Sequence, residues 1–196
     1  MTDWRRTGFA TRAIHAGQEP DPATGAVTVP VHQTSTFAQT EVGRHRGWDY
    51  ARSGNPTRDA LETALAALEG GAHGIAFASG LAAGDAVVRL LAPGDHVVLA
   101  NDVYGGTYRQ FAHVHGPWGL DFDPVDLADA DAVAAAWRPS TRMVWIETPT
   151  NPLLNIFDIA LLARFAHERG ALVVVDNTVA TPYLQQPLDL GADVVV

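Results

Sequence analysis

Ser79-Gly80-Leu81 stands where an apolar run gives way to a helical pattern. Free backbone N–H groups and the positive end of a helix dipole make such a turn an anion site, and Gly80 lets a phosphate come close. A serine that caps its helix with no ligand is the other reading. Tyr104, beside Gly105 and Gly106, offers an aromatic face that could stack on a flat ring or pack within its own loop. Asn151 lies between Pro149 and Pro152, which fix an irregular turn and aim it at the same rim. Asp176 follows Val173-Val174-Val175. A carboxylate leaving a buried strand can hold a protonated ring nitrogen or a metal, and it can equally cap the next turn. His96, His113 and His115 are candidate zinc ligands, but residues i and i+2 of a helix point apart, so no metal site is expected.

Composition narrows the chemistry. The chain has 196 residues, 47% apolar and 18% charged, enough for one domain or slightly more. It contains no cysteine, which excludes disulfides, a thiolate nucleophile and Cys-type zinc sites. All 13 basic residues are arginine, so the chain on its own has no side-chain amine for a Schiff base. The net charge is −9 and no window is strongly basic, which argues against a nucleic-acid groove. No apolar run is long enough for a membrane span, and the N-terminus lacks an apolar signal core. A cytoplasmic protein is expected.

The elements that must position these residues follow from the pattern. Residues 1–55 are rich in Pro, Gly, Thr and Gln and read as an extended arm. Asn55-Pro56 reads as a helix start, Leu61, Ala64, Leu65 and Leu68 as its apolar stripe, and Gly70-Gly71 as its end. Strands are predicted over 74–79, 96–100, 120–125, 143–147, 171–176 and 193–196. Helices are predicted between them over 81–91, 104–115, 127–137 and 159–169. Strand and helix alternating at this spacing predict an α/β fold with a parallel sheet covered on both faces, residues 56–196 forming its first part. The chain stops inside the apolar run at Val194–Val196, which reads as a fragment.

Anion turn, aromatic, rim asparagine and strand-end aspartate occur in the order of a pyridoxal-phosphate site. The chain resembles the Cys/Met-metabolism family of pyridoxal-phosphate enzymes, the group of cystathionine γ-synthase and γ-lyase. The resemblance rests on IHAGQEPDPATGAV, QTSTFAQ, YARSGNPTR, ALEGG, FASG, PGDHVV, YGGTYR, ETPTNPLL, VVDNT and LGADVVV, which run from Ile14 to Val196. It implies the large domain of the aspartate-aminotransferase-like architecture (fold type I), preceded by an intersubunit arm. It also implies pyridoxal 5'-phosphate as cofactor and carbon–sulfur chemistry by γ-elimination or γ-replacement on cystathionine or an activated homoserine.

By that resemblance Ser79, Gly80 and Leu81 hold the phosphate, Tyr104 stacks on the ring, and Asp176 pairs with the ring nitrogen. Asn151 and Thr178 lie beside the ring. Tyr50 and Arg52 reach into a neighbouring subunit's site, within a homotetramer built from dimers. Tyr104, Tyr50 and Arg109 serve the reaction, Arg109 by engaging the far carboxylate of the substrate. Gly106 stands where methionine γ-lyases commonly carry cysteine, and His32 and Val179 depart from the family's usual Tyr and Phe. The family's Schiff-base lysine would fall beyond Val196. An antiparallel strand from still later in the family chain would sit between the strands at 74–79 and 193–196. A catalytically dead remnant, binding cofactor weakly or pairing with a full-length relative, is the alternative reading.

Overall fold

The computed structural model describes residues 4–196; Met1, Thr2 and Asp3, the start of the expected arm, lie outside the described residues. The described residues form two compact units, the first ending at Ala76 and the second spanning Phe77–Val196.

In the first unit, helix α2 (Pro56–Glu69) has the ends the sequence predicts. The Asn55 side chain accepts the Thr57 N–H at 2.9 Å, Pro56 opens the first turn, and Gly70 closes the helix at φ 73°. The residues before it are not simply extended. They hold helix α1 (Phe9–His15) and a hairpin of β1 (Gln39–Glu41) with β2 (Arg44–His45). A helix of seven residues is too short to show periodicity, and packing rather than propensity sustains it. Arg12 Nη1 donates to the Ala67 carbonyl at 3.1 Å. Gly17, at φ +72°, runs so close to α2 that a Cβ there would lie 2.3 Å from the Ala60 oxygen. The apolar stripe of α2 remains open, with Leu61 50% and Leu65 43% exposed.

The strand predicted over 74–79 does not form. A strand exists only as a ladder with a neighbour, and no described strand runs beside this segment. The Ala76 N–H goes instead to the Glu62 carboxylate at 2.8 Å, and Ile75 and Phe77 are 74% and 45% exposed.

The second unit is built on five parallel strands in the order β4-β3-β5-β6-β7. These are β3 (His96–Ala100), β4 (Asp121–Val125), β5 (Thr141–Glu147), β6 (Leu172–Asp176) and β7 (Val194–Val195). The strand β3 is buried throughout, as are Met143–Glu147 and Val173–Val175. The flanking helices are α3 (Gly80–Val88), α4 (Gly105–Gln110), α5 (Gly116–Trp118), α6 (Ala130–Ala136), α7 (Ile159–His167) and α8 (Thr181–Leu184). Helix α3 approaches β5 at Gly84, where a Cβ would lie 3.3 Å from Trp145 Cη2.

Caps trim the predicted helices. Asp129 accepts the Asp131 and Ala132 N–H groups and so starts α6, and Asp158 starts α7 by accepting from Leu161. The helix predicted over 104–115 changes winding instead, α4 passing into a π-helical stretch at Phe111–His115.

Candidate active site

All five strands run the same way, so their carboxyl ends share one rim, where open α/β sheets take their ligands. Asp176 ends β6 on that rim. Its Oδ1 accepts both the N–H (3.1 Å) and the hydroxyl (2.6 Å) of Thr178. Its Oδ2 has no partner among the described residues. The capping role and an open acceptor thus coexist on one carboxylate.

Glu147 ends β5 as Asp176 ends β6, and the two are register partners on adjacent strands. It is 3% exposed. Its Oε2 accepts the Tyr104 N–H at 2.8 Å and its Oε1 the Asn151 N–H at 2.8 Å. Burial pushes the Glu147 carboxyl up to about 7; the two N–H bonds oppose the rise, and the charges of Asp176 and Asp102 add to it.

Tyr104 stands at the start of α4 and is 46% exposed. The ring rests on Gly106, where a Cβ would lie 2.3 Å from Tyr104 Cε1. Any larger residue at 106 would force that ring to move. Arg109, in the last turn of α4, is exposed and makes no ion pair among the described residues. Asn151 is exposed in a loop that a second carboxylate also braces. Asp102 Oδ2 accepts the Thr150 hydroxyl, the Leu153 N–H (3.2 Å) and the Asn155 amide (3.3 Å).

Ser79 caps α3 by accepting the Ala82 N–H at 3.1 Å. That leaves the Gly80 and Leu81 N–H groups without a partner, and the space about Gly80 is open. Gln110 Nε2 donates to the Leu81 carbonyl at 3.0 Å, tying this turn to the end of α4. Tyr50 and Arg52 belong to the first unit, where the Arg52 guanidinium lies 5.0 Å from the centre of the Tyr50 ring.

The histidines serve the scaffold. His96 Nδ1 meets Thr141 Oγ1 at 2.8 Å at the amino end of the sheet. His115 is buried with Nε2 3.5 Å from Asp85, and burial holds both rings below the usual histidine range. His113 is exposed, and no set of three metal-binding side chains forms among the described residues.

These features fit pyridoxal phosphate. Two free N–H groups at a helix start suit its phosphate, an exposed aromatic face suits its ring, and an open carboxylate oxygen suits a protonated ring nitrogen. Sequence reasoning passed over Glu147 and Asp102. Glu147 carried the signal that singled out Asp176, an acid closing a buried apolar strand. Asp102 carried none, because its partners lie some fifty residues away in sequence.

The family model described as "Cys/Met metabolism PLP-dependent enzyme" matches residues 10–196. The chain is 57% identical over 189 residues to a probable cystathionine gamma-synthase of Herpetosiphon aurantiacus, covering 96% of this chain and 59% of that protein. It is 50% identical over 192 residues to a cystathionine beta-lyase of Coxiella burnetii, covering 97% and 50%. It superposes on the crystal structure of metB from Corynebacterium glutamicum with a TM-score of 0.96 and 48% identity, covering 99% of this chain and 51% of that one. The chain therefore spans about half the length of the curated relatives it matches. No helix among the described residues is long and apolar enough to cross a membrane. The fold is that of the fold type I enzymes, and the chain belongs to the Cys/Met-metabolism family of pyridoxal-phosphate-dependent enzymes.

Proposed function

We propose that the protein carrying this chain breaks or makes a carbon–sulfur bond on an amino-acid side chain, acting on cystathionine or an activated homoserine. The observation that carries this reading is the open Oδ2 of Asp176 on a rim it shares with the exposed ring of Tyr104. Bound there, pyridoxal phosphate supplies a ring that accepts electrons from a carbon losing its proton. The chain's own residues set up that chemistry. Asp176 Oδ2 holds a proton at the ring nitrogen, and Thr178 orients the carboxylate through Oδ1. Tyr104 covers the ring, Asn151 stands beside it, and the Gly80 and Leu81 N–H groups with Ser79 take the phosphate. Arg109, free of an acidic partner among the described residues, takes the distal carboxylate of the substrate.

Three product sets separate the reactions open to the family's relatives. An activated homoserine with cysteine gives cystathionine by γ-replacement, the Cγ–O bond breaking to release the activating acid. Cystathionine with one water gives cysteine, 2-oxobutanoate and ammonia by γ-elimination, or homocysteine, pyruvate and ammonia by β-elimination. The whole protein supplied with pyridoxal phosphate is expected to form one of these sets, and turnover of neither substrate overturns the reading.

Tyr50 and Arg52 are proposed to complete the phosphate site of a partner subunit, with residues 1–55 as an intersubunit arm in a homotetramer built from dimers. Mixing Arg52→Ala chains with Asp176→Asn chains is expected to restore activity above either parent, because each hybrid dimer then holds one intact site. Hybrids no more active than the parents would return Arg52 to its own subunit.

A further inference from the structure

The loops after β3 and β5 carry different parts of the site and share no ladder beyond the strand ends. What joins them is a pair of carboxylates crossing in opposite directions. Glu147, from β5, takes the Tyr104 N–H of the β3 loop together with the Asn151 N–H of its own loop, both at 2.8 Å. Asp102, from the β3 loop, takes the Thr150 hydroxyl, the Leu153 N–H and the Asn155 amide of the β5 loop.

A buried carboxylate is costly in a fold unless its oxygens are satisfied. At Glu147 each oxygen is satisfied by one backbone N–H, and those donors belong to the residue whose ring would cover the cofactor and the residue beside it. The charged groups facing Glu147 are themselves acidic: Asp176, its register partner on β6, and Asp102 on the β3 loop. No arginine or histidine forms an ion pair with Glu147 among the described residues. An ion pair therefore does not account for an acid here, whereas two convergent N–H donors do. Glutamine has the same length but a single acceptor oxygen, and its amide would turn a donor toward one of the two N–H groups.

We propose that Glu147 is a positioning residue of the cofactor site: by accepting one N–H from each loop it sets the ring of Tyr104 and Asn151 in place relative to Asp176, and it grips more firmly as the carboxylate than as the acid. The role assigned to those three groups rests on the function proposed above; the tether itself does not. Burial beside Asp176 and Asp102 brings the change between acid and carboxylate to about pH 7, so the grip changes within an accessible range.

Hydrogen exchange at the Tyr104 and Asn151 amides of the whole protein, without cofactor, tests the tether. Corrected for intrinsic exchange, protection in the wild type is expected to rise between pH 6 and pH 8 at both amides. In Glu147→Gln one amide is expected to lose about 10-fold or more in protection, the range of a lost bond to a charged group, and both profiles become flat. A purely structural role would lower protection across the whole sheet and leave these two amides undistinguished. Pyridoxal phosphate titrated into the same proteins is expected to bind the variant about 10-fold or more weakly, because a displaced ring no longer covers it.

Protection and pH profile unchanged in Glu147→Gln overturn the proposal. Should that variant not fold, a flat wild-type profile at both amides overturns it and a rising one supports it. A wild-type protein that takes up no pyridoxal phosphate overturns the proposed function and with it the cofactor role of Glu147, while the exchange data still decide whether the tether exists.

Discussion

Asp176→Asn in the whole protein is expected to cut turnover roughly 10- to 150-fold or more, while much of the pyridoxal phosphate stays bound. The change removes a charge-assisted hydrogen bond, worth about 1.5–3 kcal/mol, where the ring must keep its proton to accept electrons. Asparagine can still satisfy Thr178, since the Oδ1 interactions need only an oxygen. The second atom becomes an NH₂ group, which cannot hold a proton on a ring nitrogen. Retention is expected because the proposed site assigns the phosphate and the ring face to other residues, Ser79 to Leu81 and Tyr104. Steady-state kinetics with a cofactor titration checks the split. Full turnover in the variant would make Asp176 a turn cap and nothing more.

Glu147 is expected to make the folded protein less stable as pH rises from about 4.5 to about 7. In the unfolded chain its carboxyl ionises near 4.5; in the folded one burial, against two N–H bonds, holds the proton to about 7. Between those values the unfolded state binds fewer protons, so stability falls with pH and levels off above 7. Each pH unit is worth ~1.4 kcal/mol, which gives about 3 kcal/mol across the window. Ionisation thus strengthens the two local tethers and weakens the fold as a whole. Unfolding curves of wild type and Glu147→Gln at a series of pH values isolate the effect. The wild-type advantage should shrink steadily toward neutral pH, and parallel profiles would contradict it.

Much of the second unit was legible because its central strands β3, β5 and β6 contain continuous apolar runs. The strand His96–Ala100 matches the predicted span, and the Asn55 cap and Gly70 stop of α2 follow from local chemistry. What could not be read depends on partners. The run at 74–79 has strand composition, but a ladder needs a neighbour that local sequence does not specify. Helix α1 is too short to announce itself, and nothing in FAHVH distinguishes π-helical from α-helical winding. In the site, the strand-end position of Asp176 was legible, whereas the division of labour between its two oxygens was not. Glu147 was visible in type and place, but its meaning comes from the Tyr104 N–H, 43 residues away.

In the proposed site this rim holds pyridoxal phosphate with Asp176 at the ring nitrogen. The ¹⁵N chemical shift of pyridoxal phosphate labelled at that nitrogen, bound to the whole protein, tests it most directly. A protonated nitrogen is expected in the wild type well above the pH at which the free cofactor loses that proton, and an unprotonated one in Asp176→Asn. An unprotonated nitrogen in the wild type, or the same signal in both proteins, would contradict it.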